Sequence, residues 1–333
     1  VDYLSFDEFD GQYWRPFNAK LWEKNKDAYQ KHLARCWGRM PDLDQIDSFY
    51  IEVEQKDGYK IEKYELKLSE MQYIVDDLTP VWLLIPDSPR STPCPAMIVH
   101  HQHAGQFHLG KEEPAGIDGD PEQFLAIDLV RQGYVVVVFD ALAFSSRQEP
   151  GGERFTFTRL LMWGMTLNGK YCWDISKVVD FLYTMKIVDK NRIGIIGHSL
   201  GGQMAIWGAV FDPRIKVIIS SCGFGRIAGN ESILQHQINH NFAAYLPNFL
   251  DASLKMDMHE VIGLLHPRPL ILANGGTDRI FPIEGVAEIH KFVEDLYAHY
   301  GNSDKILTLR HDGGHGIPKE SKQQFWDFLV KWL

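Results

Sequence analysis

The sequence predicts an α/β fold: a mostly parallel central sheet with helices on both faces, antiparallel N-terminal strands, and a helical extension before them. Three observations carry this. From Ala96 onward, near-continuous apolar runs alternate with segments of helical periodicity, the pattern of parallel strands covered on both faces. Ahead of Ala96, apolar and polar residues alternate singly, as in half-buried antiparallel strands. The apolar run Arg192-Ile-Gly-Ile-Ile196 ends in Gly197-His198-Ser199-Leu200-Gly201 and passes straight into a helix-forming segment.

Residues 1–45 read as a helical N-terminal extension. Leu21, Trp22, Tyr29, Leu33 and Trp37 recur among charged residues before Pro41 interrupts. Phe49-Tyr-Ile-Glu-Val-Glu54 and Lys60-Ile-Glu-Lys-Tyr-Glu-Leu-Lys-Leu68, joined through Lys56-Asp57-Gly58, predict an antiparallel hairpin that Val81–Ile85 continues. The main domain spans 46–333. Its parallel strands are predicted at Ala96–Val99, Tyr134–Phe139, Arg192–Ile196, Val217–Ile219, Pro269–Leu272 and Ile306–Leu309, with helices near 121–132, 173–185, 202–211, 285–300 and 319–332. The 223–266 segment is longer than a simple crossover and reads as a cap insertion over the site. Trp163, Tyr171, Trp173 and Trp207 are expected mainly in the core.

Composition narrows the function. With 333 residues, 45% hydrophobic and 23% charged, the chain can bury a large core. A formal charge of −10 predicts no broad binding to nucleic acid or to an anionic membrane, each of which needs a basic face. No apolar run reaches the roughly 20 residues of a membrane span. Cys36, Cys94, Cys172 and Cys222 are scattered, without Cys-x-x-Cys spacing, and predict free thiols in a reducing, cytoplasmic compartment. The chain starts at Val1, which leaves room for a processed leader.

Chemistry points to Ser199. Gly197 and Gly201 lack the Cβ atoms that would clash in a sharp strand-to-helix turn, so Ser199 can adopt a strained backbone with its hydroxyl exposed. A serine hydroxyl is a poor nucleophile until an imidazole takes its proton and a carboxylate orients that imidazole. Pro269–Asp278 is a strand and glycine turn delivering a carboxylate, and Ile306–His315 likewise delivers a histidine. The expected triad is therefore Ser199, Asp278 and His315, with Asp312 and Glu284 as fallback carboxylates. The oxyanion should meet the amide of Leu200 and one from the loop His100-His-Gln-His-Ala-Gly105, at His103 or Gln102.

Other polar residues cluster nearby. His100, His101, His103 and His108 invite a metal reading, but no carboxylate or cysteine obviously completes a tetrahedral set, so no metal and no cofactor is expected. His101, His198 and Arg147 are candidate substrate contacts. For Arg147, Glu149 and Glu153, which follow the strand ending at Asp140, the alternative is a solvated loop ion pair.

Together these residues resemble the α/β-hydrolase superfamily from about Val81 to the C-terminus. Gly164–Gly169 through Trp173-Asp174, Val188–Gly194, Asp212-Pro-Arg-Ile215 and Pro267-Arg-Pro-Leu-Ile271 are similar to dienelactone hydrolases and acetyl xylan esterase-like carboxylesterases. The resemblance implies Ser199 as nucleophile, Asp278 as acid and His315 as base. Gln102 and Ala104 depart from the glycines common in that loop. Serine in place of the cysteine often used by dienelactone hydrolases points toward an esterase.

The expected function is hydrolysis of a carboxylic ester of a small molecule through an acyl-enzyme. The same triad serves thioesterases, amidases, carbon–carbon bond hydrolases and acyltransferases. Two other classes are a dinucleotide-binding protein, whose Gly-x-Gly-x-x-Gly spacing Gly194–Gly197 fails to meet, and a silent binding protein on the same fold. The aromatic-rich extension is also suited to a homodimer contact.

Overall fold

One sheet organises the molecule, and its strand order decides where a ligand can sit. The computed structural model describes residues 15–41, 43, 45–69, 77–227, 246, 249, 254 and 256–333. Among them are strands β1 (Asp47–Lys56), β2 (Tyr59–Lys67), β3 (Leu78–Pro86), β4 (Cys94–His100), β5 (Val135–Phe139), β6 (Val188–His198), β7 (Val217–Ser221), β8 (Leu270–Gly275) and β9 (Ile306–His311). They lie in the order β1-β2-β3-β5-β4-β6-β7-β8-β9. β1, β2 and β3 pair antiparallel with their neighbours, and every pairing from β5 to β9 is parallel. The sequence pattern has its counterpart in burial: β2 and β3 alternate over part of their length, whereas β4, β5, β7 and β8 are buried at every position.

Helices cover both faces. They are α1 (Ala19–Cys36), α2 (Leu125–Arg131), α3 (Gly152–Met162), α4 (Leu167–Thr184), α5 (Leu200–Phe211), α6 (Met258–Gly263), α7 (Ile283–His299) and α8 (Lys319–Trp332). α2 and α8 bury Leu125, Leu129, Phe325 and Leu329 with Met97, Val99, Val136 and Ile196 on one face. The remaining buried helices, α1 and α4 to α7, contribute to the core on the other. At roughly 1.5–3 kcal/mol per large apolar side chain, this burial is the main force holding the layers.

The helices differ from expectation in three ways. α4 starts at Leu167, ahead of 173, because the Thr166 hydroxyl accepts the Gly169 amide at 2.9 Å and caps the helix. The 121–132 segment breaks at Phe124 into a 3₁₀ turn, Pro121–Gln123, and α2. Neither α3 nor α6 is predicted. α3 leaves Phe155, Leu161 and Met162 exposed and buries Glu153 and Thr156 with Leu160, so no apolar stripe marks it, and α6 is too short for periodicity to show. Trp163 is 42% exposed and is not a core residue, unlike Tyr171 and Trp207.

α1 packs Trp22, Tyr29, Leu33 and Cys36 into the same core as the sheet. Trp37 then donates its indole N–H to Asn168 Oδ1 at 2.9 Å. Residues 1–14 of the expected extension lie outside the described residues. Of the 223–266 segment, Phe224, Ile227, Met256, Val261 and Ile262 are buried in the core, while 228–245 lie outside the described residues.

Beneath β5, Arg147 corrects the substrate-contact expectation. Its side chain is 4% exposed, and its guanidinium donates to Asp77 Oδ1 at 2.6 Å, Asp174 Oδ2 at 2.8 Å and the Asp140 carbonyl at 3.0 Å. Lys170 pairs with the same two carboxylates. Burial opposes ionisation of Asp77, but the charges of Lys170 and Arg147 hold it well below the ordinary carboxylate range. Two cations and two anions thus neutralise each other inside the fold, tying the residue before β3 to the turn after β5 and to α4. Arg147 shapes the protein instead of reaching into solvent.

Two outcomes follow. Arg147→Ala leaves a buried carboxylate uncompensated and should lower unfolding free energy by about 3–5 kcal/mol, read from urea denaturation; an unchanged midpoint would contradict the network. His100 and His101, at the end of β4, and His198, at the end of β6, are all buried. Burial depresses His100 to about 3 and His101 to about 4, and holds His198 well below its usual value. Their folded pKa lies below the unfolded one, so the unfolded chain takes up protons first. Stability is therefore complete above about pH 6.5 and declines as pH falls toward 4, by about 1.4 kcal/mol per pH unit for each histidine. Urea midpoints flat between pH 7 and 4 would refute this.

Candidate active site

The β-sheet reverses its winding between β4 and β6, the neighbours whose own connections run to opposite sides. In such sheets the crevice outside the strand carboxyl ends at that point receives the ligand. His100 pairs with Gly197 in register there, and Ser199 follows β6 directly.

Ser199 occupies φ 55°, ψ −118°, a conformation that side chains other than glycine's rarely adopt. Close packing imposes it. A Cβ at Gly197 would lie 2.4 Å from the carbonyl carbon of Gly201, and one at Gly201 would lie 2.1 Å from the carbonyl oxygen of His100. The Ser199 amide donates to Ser221 O at 2.9 Å, and Ser199 O accepts the first α5 bond from Gln203 at 2.9 Å. The strained residue is therefore clamped between β4, β7 and α5. The amide of Leu200 opens α5, where an N–H has no partner one helical turn back and the helix dipole favours negative charge.

Asp278 and His315 meet across two interlocked loops. A Cβ at Gly275 would strike Gly314 O at 1.9 Å, while the Gly276 and Thr277 amides donate to His311 O at 2.7 Å and Gly313 O at 3.1 Å. Asp278 Oδ1 accepts from Ile280 N at 2.8 Å and Phe281 N at 3.1 Å, leaving Oδ2 to the Nδ1 of His315 at 2.8 Å. Burial pushes the Asp278 carboxyl up, but the His315 hydrogen bond and charge, with the two amides, bring it below its ordinary value. Asp312 and Glu284, the fallback carboxylates, are exposed.

His198 links the two halves. Its ring lies 4.7 Å from that of His315, and its Nδ1 is 3.1 Å from Ser221 Oγ. It is 1% exposed and neutral, a wall beside Ser199.

In the histidine loop, His101 is spoken for at both nitrogens. The Ala141 amide donates to Nε2 at 3.1 Å, so the proton sits on Nδ1, 2.8 Å from Gln102 O. His101 therefore braces the loop and is buried, with both ring nitrogens already engaged, which runs against the expected substrate contact. His103 Nδ1 accepts from Gly105 N at 3.0 Å, turning Nε2 toward Glu153 at 3.4 Å. The Gln102 side chain donates to Glu113 Oε1 at 2.9 Å. Ala104 tolerates φ 45° where a glycine would be unstrained. Glu149 pairs with Arg159.

Sequence reasoning missed Cys222. It follows β7 with φ 46°, and its sulfur, a carboxylate oxygen of Asp278 and a ring nitrogen of His315 lie within 4.8 Å of one another. Burial first, then the Asp278 charge, pushes its thiol up to about 12. The signal available was its place one residue beyond an apolar run. All four cysteines are buried and free of disulfides, and no helix among the described residues is long and apolar enough to cross a membrane.

Known proteins share this arrangement of elements. A model of the Abhydrolase family matches residues 14–305, which include Ser199 and Asp278. YtaP of Bacillus subtilis (strain 168) is 29% identical over 306 residues, covering 91% of this chain and 98% of YtaP. The 2,6-dihydropseudooxynicotine hydrolase of Paenarthrobacter nicotinovorans is 31% identical over 155 residues, 46% of this chain and 34% of that protein. Among solved structures, a glucuronoyl esterase from Solibacter usitatus superposes with a TM-score of 0.71 at 15% identity, over 94% of this chain and 93% of its own. The acetyl xylan esterase from Paenibacillus sp. R4 gives 0.60 at 17% identity, over 99% and 100%. A family model spanning residues 14–305, most of the chain, makes this protein a hydrolase of the Abhydrolase family.

Proposed function

We propose that the chain hydrolyses a carboxylic ester of a small molecule, of the sugar-ester class, through an acyl-enzyme on Ser199. One observation carries the reading: Asp278 Oδ2 stands 2.8 Å from His315 Nδ1, and the His315 ring packs on the residue immediately before the left-handed Ser199. With its Nδ1 proton directed at Asp278, His315 keeps the Nε2 lone pair as acceptor for the serine proton. Ser199 Oγ then attacks the ester carbonyl, and the negative oxygen turns to the amide of Leu200 and to one from Gln102 or His103. His315 returns its proton to the leaving alcohol, and water activated by the same ring releases the acid. The sugar-ester class rests on the esterases that share the fold, which are named for glucuronoyl and acetyl xylan esters.

Ser199→Ala should fold normally, lose labelling by a fluorophosphonate probe, and lose kcat/KM on a hexose acetate by about 10⁴-fold or more. Undiminished turnover in that variant would end the proposal. Asp278→Asn keeps the shape of the loop but places a donor or a weak acceptor against Nδ1, favouring the wrong tautomer; kcat should fall by about 10⁴-fold while KM changes little. Comparing acetyl and glucuronoyl esters with thioesters and amides of matched leaving group sets the bond class.

A further inference from the structure

We infer that Cys222, Asp278 and His315 form a site for a thiophilic divalent cation such as Zn²⁺, and that occupying it switches the enzyme off. The donor set is mixed: one thiol, one carboxylate and one imidazole, drawn from three different strand ends. Their ligating atoms lie within 4.8 Å of one another, with Cys222 and Asp278 buried and His315 reaching the surface. A tetrahedral zinc with bonds of about 2.0–2.3 Å needs donors roughly 3.5 Å apart. Closing the trio therefore requires shifts of only about one ångström, and the half-buried imidazole supplies the route in from solvent.

Cys222 is held for this role by backbone. Its amide donates to Ala273 O at 2.7 Å, and its φ of 46° turns the residue out of the line of β7. Its sulfur makes a long contact, 3.8 Å, to Gly316 O and lies beside Asp278 and His315. By contrast, Asp278 Oδ1 is already fixed by two amides, so the carboxylate stays in place when Oδ2 changes partner. Solvent can complete the coordination.

Proton balance gives the consequence. On binding, the Cys222 thiol loses its proton to solvent, and the proton on His315 Nδ1 transfers through water to Nε2. The imidazole then carries the cation on Nδ1 and a proton on Nε2. It can accept nothing from Ser199. This inhibitory consequence rests on the reading of His315 as general base, whereas the site itself does not.

The test separates the two. Cd²⁺ is titrated into the native chain and into Ser199→Ala, following the ultraviolet charge-transfer band of a cadmium thiolate. Both should give a saturable band at about one ion per chain, whereas Cys222→Ser and Cys222→Ala, which carry no sulfur at the site, should lose the band and show a Zn²⁺ inhibition constant at least about tenfold higher. Using two variants guards against one that fails to fold, checked by circular dichroism. In parallel, Zn²⁺ should inhibit ester turnover of the native chain in proportion to its occupancy. No band in the native chain, or a band and inhibition constant unchanged in both folded Cys222 variants, overturns the proposal. A band in native and Ser199→Ala chains with no ester turnover in either would uphold the site and remove only the esterase reading.

Discussion

The approach of β6 to α5 is the constraint on which the candidate site depends. Gly197 and Gly201 come so close that neither has room for a methyl group, and the start of α5 presses on the carbonyl of His100. Ser199 is left with no relaxed conformation to adopt, since its amide is held by β7 and its carbonyl by the helix. Strain of this kind costs on the order of 1–3 kcal/mol and persists only where neighbours over-determine it. Here the large apolar core on both faces of the sheet supplies that support.

A second layer of order is electrostatic. The site is bordered by histidines kept neutral by burial, at 100, 101 and 198, so the polar ring beside Ser199 carries little positive charge of its own. Asp278, held ionised by His315 and two amides, is the local anion. Farther from Ser199 in sequence, the four-charge cluster of Asp77, Arg147, Lys170 and Asp174 neutralises itself. Buried charge is thus spent on positioning the turn after β5, and the imidazole of His315 remains partly open to solvent.

The chain shares its fold with esterases at identities of 15–17%, beside 29% identity to YtaP along nearly its whole length, so one arrangement of layers is kept while most residues differ.

The sequence by itself determined the strands and their two kinds of pairing, because apolar runs and single alternations report burial on two faces or one. It also determined the elbow, since glycines flanking a serine after an isoleucine-rich strand leave few other conformations, and it placed Asp278 and His315 at strand ends. Among the carboxylates, it could not separate Asp278 from Asp312 and Glu284 by distance. Only the meeting of the Gly275 and Gly314 loops put Asp278 within 2.8 Å of His315. Arg147 was misread for the same reason: its partners Asp77 and Asp174 are remote along the chain, and a charged residue after a strand looks alike whether it faces solvent or a buried counter-charge. Cys222 gained its neighbours only when β7 and β8 lay side by side. Local patterns record which residues leave water, whereas partnerships between distant polar atoms are decided when the layers close.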